Sequence, residues 1–207
     1  IELAAARLRT LSPREIADRL DDRFRLLTTG VRTALPRHQT LRAVVDWSWE
    51  LLTEAERAVA RRLGAFAGGD TLAAAERVCG PAAWEALTSL VDKSLVVAVP
   101  QPDGPTRYRM LETIRAYAGE KLDAAGERPA AEAAHAAFVL DLVEEAEPHI
   151  RRREQLRWLA RLRAEADEID LALRRTTTSD VAVAYRIVVA VTWSWLIRGR
   201  LEEGRRW

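Results

Sequence analysis

The spacing of apolar positions reads as helix over most of the chain. Residues 1–9 are in helical period from the first position. "LSPREIADRLDDRFRLL" opens on Ser12 as a cap, with Pro13 at the first helical position and Glu15 closing a capping box. Ile16, Leu20, Phe24 and Leu27 form its apolar stripe, and Gly30 ends it. A loop through Pro36 leads to a helix over 40–52, with Leu41, Val44, Val45, Ser48 and Leu52 on one face and Trp47 and Trp49 flanking it. "TEAE" from Thr53 is a second capping box and starts a helix to about Phe66, which "AGGD" breaks. Thr71 caps a helix to Cys79, Gly80 stops it, and Pro81 starts another that reaches Lys93. The period then changes to two. "SLVVAVP" and "RYRML" are strand-like, and Asp103-Gly104 between them is a hairpin signal. From Glu112 the helical period returns, with Ile114, Tyr117, Ala118 and Leu122 on one face. Further helices are expected at 130–147, 153–174, 180–198 and from 201.

The order helix, helix, helix, hairpin between Thr53 and Leu111 predicts a winged helix-turn-helix. A plain helical array carrying a chance hairpin is the competing reading. In DNA-reading versions the helix before the wing enters the major groove and needs cations and amides. Here "PAAWEALTSLVDKS" sets Glu85 and Asp92 against one lysine, Lys93, and Trp84, Leu87, Leu90 and Val91 look like packing residues. The expectation is a winged helix that packs on other domains.

Charge and chemistry narrow this further. Among 207 residues, 32 Lys and Arg balance 31 Asp and Glu, so coating nucleic acid is not the main work. The basic run "HIRRREQLRWLARLR" is expected to be an amphipathic helix with a solvated arginine face and a seam of Leu156, Leu159 and Leu162. It is followed by compensating acids at Glu165, Asp167, Glu168 and Asp170. A single cysteine, Cys79, is expected to be a buried thiol in a reducing cytoplasm, and no apolar run is long enough to span a bilayer. The P-loop, GxSxG and HExxH patterns are absent, and His38, His135 and His149 lack metal-ligand spacing. Gly68-Gly69 reads as a helix stop, because no strand precedes it. No enzymatic activity is expected of this stretch. A start without methionine and an end inside a helix suggest a piece of a longer protein.

"IELAAARLRTLSPREIADRLDDRFRLLT", "RHQTLRAVVDWSWELLTEAERAVARRLGAFAGGDTLAAAERVC", "LVDKSLVV" and "YRMLETIRAYAGEKL", in this order, resemble STAND-class (AP-ATPase, NB-ARC-like) signalling ATPases. The likeness is to the large bacterial transcriptional regulators of antibiotic-regulatory and LuxR-like type, and it covers most of residues 1–125. It implies a mainly α chain: the C-terminal part of a helical lid at 1–36, a winged helix with one hairpin wing at 37–126, and an antiparallel, TPR-like array starting at 127–207. "GRLEEG" at 199–204 resembles a tetratricopeptide-type turn. It also implies an upstream nucleotide-binding domain in the same chain holding ADP or ATP with magnesium, a protein or small-molecule inducer at the repeats, and DNA bound through another domain. In relatives a Met-His-Asp motif at the wing's end senses the ADP phosphate. The matching residues are Met110, Leu111 and Glu112. Leucine has no donor for a phosphate, so the expected role is packing for Leu111, with capping or an arginine pair for Glu112. Arg37, His38, Trp47, Arg109 and Arg115 are candidate inter-domain contacts. A DNA-binding winged helix and a nucleotide-independent interaction scaffold are the alternatives.

Overall fold

The computed structural model describes residues 45–46, 48–102 and 104–207. The expected lid segment, Arg37, His38, Trp47 and the hairpin's Asp103 lie outside the described residues. Contacts divide the chain into two units, Ile1–Glu54 and Ala55–Trp207. In the first, residues 45–46 and 48–50 are helical, and Val45, Trp49 and Leu52 are buried.

The second unit begins with a winged helix. Its elements are α1 (Glu54–Leu63), β1 (Asp70–Thr71), α2 (Leu72–Cys79), α3 (Ala83–Asp92), β2 (Val96–Gln101), β3 (Gly104–Met110) and α4 (Glu112–Ala124). The sheet is antiparallel in the order β1-β3-β2. The hairpin β2–β3 is the expected wing. The two-residue strand β1, pairing Asp70 with Tyr108 and Thr71 with Arg107, is a third strand that periodicity did not announce. Thr71 caps α2 as expected, accepting from the Ala74 amide at 3.3 Å. The turn from α3 into β2 is closed by the Leu95 amide donating to Leu90 O, with Ser94 at φ 59° in the position usually given to glycine.

Buried apolar residues follow the predicted faces. They are Val59, Ala60 and Leu63 on α1, Ala86, Leu87 and Leu90 on α3, and Ile114, Tyr117, Ala118 and Leu122 on α4. Cys79 is buried, and burial pushes its thiol up to about 12, with Asp70 adding to the shift. It donates weakly to Val59 O at 3.9 Å and is inert packing.

A helical array follows: α5 (Arg128–Ile150), α6 (Gln155–Ala164), α7 (Ala166–Ser179), α8 (Val181–Ile197) and α9 (Leu201–Arg206). Helix α5 is its spine and touches α6, α7 and α8, as well as α2 of the winged helix. Val139, Val143 and Ile150 of α5 share a core with Ile169 and Leu173 of α7 and Ile187 and Val191 of α8. The single helix expected over 153–174 is two, separated at Glu165 with no glycine or proline to mark the break. The expected seam on α6 is also revised, since Leu162 is buried but Leu156 is 81% exposed. No helix among the described residues is long and apolar enough to cross a membrane.

Gly64, just past the end of α1, lies against the backbone of Ala118 and Gly119 in α4, an approach that its missing side chain allows. A Cβ on Gly64 would stand 2.9 Å from Arg61 O and from the Gly119 amide nitrogen, both backbone atoms that cannot swing away. Gly64→Ala is expected to cost about 1 to 3 kcal/mol in urea denaturation, as overpacking does. Gly68→Ala, which opens into free space, should stay within about 0.5 kcal/mol of the parent.

Candidate functional site

The loop 64–69, "GAFAGG", joins α1 to β1; its first three amides donate to Arg61, Arg62 and Leu63 carbonyls of α1, and much of the rest of its backbone has no partner in helix or ladder. Buried backbone groups need partners, and here side chains from three other elements supply them. Ala65 O accepts from Arg175 Nη1 of α7 at 2.7 Å, and Phe66 O accepts from Arg115 Nη1 of α4 at 3.1 Å. The Ala67 amide donates to both carboxylate oxygens of Glu168 of α7, at 2.9 and 3.0 Å, and the Gly68 amide donates at 3.1 Å. Gly69 O accepts from Arg107 Nη2 of β3 at 2.5 Å.

Two buried ion clusters form around this loop. Arg107 grips Glu165 with both fork nitrogens, at 3.0 and 2.9 Å, and Arg161 approaches the same carboxylate at 3.3 Å. Bidentate pairing of this kind adds geometric specificity to charge. Burial opposes the Arg107 charge, but the hydrogen bond and charge of Glu165 outweigh it and raise its pKa. Glu168 also takes His135 Nε2 at 3.0 Å. Burial pushes the Glu168 carboxyl upward, yet its hydrogen bonds from His135 and the two amides leave it below the usual value. An ionised carboxylate only accepts, so the His135 proton sits on Nε2; Nδ1 meets no partner among the described residues. The fully buried ring stands edge-on to Phe66 at 5.2 Å. Asp70 completes the cluster. Burial first, then the charges of Glu168 and Glu165, push its carboxyl well above its usual range, against the pull of Arg107.

This arrangement is a lock between winged helix and helical array. It offers no nucleophile and no seat for an external anion, because the Ala67 and Gly68 amides that face an anion hold the protein's own Glu168. Gly68-Gly69 is a helix stop, as expected, and also one side of an internal carboxylate cradle.

The predicted junction residues fare unequally. Met110 is half-buried beside a cavity of about 10 Å³ that Leu63, Phe66 and Arg115 also line. Glu112 pairs with Arg115 Nη2 at 2.6 Å, so it reaches the loop through that arginine. Leu111 does not pack: it is 57% exposed at the cap position of α4, with extended backbone. Its parity opposes Met110 on the strand, and the buried face of α4 begins only at Ile114. Arg109 is exposed and lays its side chain over Gly69, where φ is +138° and a Cβ would meet Arg109 Cγ at 2.5 Å. Glu165 and Glu168, expected as acids compensating the basic run, are 3% and 2% exposed; Glu165 does pair with Arg161 of that run, and both also take partners from distant elements. His135, Asp70, Glu165 and Glu168 were not singled out as site residues.

A family profile described as a winged helix-turn-helix domain matches residues 52–123. Those residues are a winged helix-turn-helix domain. Over 214 aligned residues the chain is 43% identical to a protein of Mycobacterium tuberculosis H37Rv with the provisional name HTH-type transcriptional regulator Rv0890c. A Mycobacterium bovis protein with the same kind of provisional name, Mb0914c, is equally similar. Both alignments cover 100% of this chain and 24% of the relative. A third relative, the uncharacterized protein Rv0894 of Mycobacterium tuberculosis H37Rv, is 45% identical over 137 residues, covering 63% of this chain and 35% of its own length. The chain therefore spans about a quarter of the length of the named regulators it matches. No solved structure matches it.

Two substitutions test the lock by urea denaturation. Glu168→Ala strips His135 and two amides of their acceptor, and removing one partner of a buried pair costs about 3 to 5 kcal/mol. Asp70→Asn should stabilise the chain by about 1 to 3 kcal/mol at pH 7, because it removes a buried carboxylate that lacks a full set of partners. The sign follows from linkage. A carboxyl raised in the folded state weakens folding as pH climbs above its unfolded value of 3.8, so the gain should vanish below that pH. Glu168 runs the other way, giving stability above its usual 4.5 that is lost as pH falls through its lowered folded value.

Proposed function

We propose that this chain is a regulatory segment of a transcriptional regulator, in which the winged helix works through protein packing instead of base reading. The names of the mycobacterial relatives support the first half. The second half rests on the outer face of α3. Its exposed residues are Trp84, Glu85, Thr88 and Asp92, with no cation among them. Lys93, just beyond the helix, is held by Glu56 at 2.7 and 2.8 Å. The wing contributes little more: Arg107 is buried, and Gln101, Pro102, Gly104 and Pro105 at the tip are uncharged. A DNA contact draws most of its affinity from cations on phosphates; the outer face of α3 has none, and the wing's one exposed arginine among the described residues, Arg109, lies over Gly69.

In this reading the array and the winged helix move together, because the loop 64–69 is clamped by both. A signal received by the helices after α5 would reach the winged helix through Glu165 and Glu168. Control by an upstream ATPase core is the finer form of the proposal, and so are a TPR-like sensor after α5 and a nucleotide-sensing role for Met110, Leu111 and Glu112. Their support is the sequence resemblance. The described residues provide no phosphate seat at the loop, so no step is routed through a nucleotide.

Direct DNA reading is the second reading, and the names of the relatives favour it. Electrophoretic mobility shifts with random duplex DNA across a salt series separate the two. Packing predicts no band shift that Trp84→Ala or Thr88→Ala on α3 alters. Binding that falls steeply with salt and is weakened by those two substitutions would establish the DNA reading.

A further inference from the structure

The array treats its surface arginines in two different ways. Arg151, Arg174, Arg186 and Arg205 each pair with a carboxylate: Glu147, Asp170, Glu144 and Glu202 respectively. Around α6 this rule lapses. Arg152, Arg153, Arg157 and Arg163 are exposed and meet no carboxylate among the described residues. Arg163 lies near Arg198 instead, close enough for their charges to repel. Beside these cations Leu156 is 81% exposed, although it sits in a helix whose buried face is available one turn away at Leu159 and Leu162. A solvated face needs no such leucine.

The same helix forms one wall of a groove of about 1070 Å³. Pro102 and Pro105 of the wing stand opposite Arg157, Trp158 and Arg163, and Leu142 of α5 lies in the wall. Arg107 and Arg161 also border the groove, but both are paired with Glu165. The cavity thus combines an apolar lining with two unpaired guanidinium groups. Such a surface suits a segment that is apolar on one side and acidic on the other.

We propose that the groove between the wing and α6 docks an acidic amphipathic segment of a partner protein. Its apolar side would cover Trp158, Pro102 and Pro105, and its carboxylates would take Arg157 and Arg163. Helix-in-groove recognition is built in this way, and arginine offers a bidentate fit to carboxylate. Duplex nucleic acid is the weaker fit. Phosphates would leave the apolar lining of Pro102, Pro105 and Trp158 uncovered. The proposal concerns a surface remote from the outer face of α3, so it stands or falls separately from the packing role of that helix.

The test is fluorescence anisotropy on the 207-residue chain. The probe is a labelled synthetic peptide of about 15 residues, some four helical turns, with Leu and Phe on one face and Glu and Asp on the other. A counterpart with Gln and Asn in place of the acids, and a labelled DNA duplex, complete the set. The acidic peptide should bind, and the uncharged counterpart should bind at least about tenfold more weakly, a difference near 1.4 kcal/mol. The double variant Arg157→Glu with Arg163→Glu should lose at least about tenfold in affinity for the acidic peptide, while Glu85→Arg on α3 leaves it unchanged. Both arginines are exposed, and an unchanged denaturation midpoint verifies that the double variant is folded. The proposal is overturned by any of three results: no binding of the acidic peptide, binding that ignores the arginine reversals, or tight duplex binding that the reversals abolish.

Discussion

The structure turns on the need of one short loop for hydrogen-bond partners. Residues 65–69 leave α1 in a turn that pairs the Ala65 and Phe66 amides with α1 carbonyls, while the carbonyls of Ala65, Phe66 and Gly69 and the amides of Ala67 and Gly68 go to side chains of other elements. Five side chains, Arg107, Arg115, Glu168, Arg175 and, through Arg107, Glu165, satisfy them. Three of the five come from the array and two from the winged helix. The loop can be satisfied in full only when winged helix and array are docked in this register. Hydrophobic contact alone would tolerate some sliding. A carboxylate cradled by two amides and a buried Arg fork would not, because any shift leaves charges buried and unpaired, the costly case. The cluster also carries an internal cost in Asp70, whose carboxyl is crowded by two others. A lock with one mismatched member holds less tightly than it could.

Much of the fold was legible in the chain, and the reasons are local. Thr71 and Gly80 bound α2 because capping and left-handed turns are decided within a few residues. The hairpin follows from alternation on both sides of a turn, and the face of α4 from the spacing of Ile114, Tyr117, Ala118 and Leu122. What escaped was set at long range. Glu165 is 58 residues from Arg107, and Glu168 is 101 from the amide of Ala67. On the helix they look like any solvated acids after a basic run. Strand β1 is two residues long, too short to alternate. The break between α6 and α7 falls at a glutamate because that glutamate is engaged by Arg107, a cause absent from the local sequence.

The candidate site shows the same division. Of the three junction residues, Glu112 and Met110 converge on the loop, the first through Arg115 and the second beside Phe66. The buried histidine at the centre, His135, is flanked by alanines on a long helix and gives no spacing signal. Its role is visible only once Phe66 and Glu168 close over it.

The distribution of charge follows from where arginines are consumed. A winged helix that reads DNA keeps its cations on the recognition helix and wing. Here the wing's Arg107 is spent on Glu165, Arg115 on Phe66 O and Glu112, and Lys93 on Glu56. These residues hold the domain together and to the array. Among the described residues, the exposed arginines without a carboxylate partner are Arg109 on the wing and Arg152, Arg153, Arg157 and Arg163 in the turn before α6 and on α6 itself, the last four outside the family-matched segment at 52–123. A fold does not fix what its surface binds: the winged helix is a scaffold shared with DNA-reading domains, and in this chain a group of four unpaired arginines lies at its junction with the array.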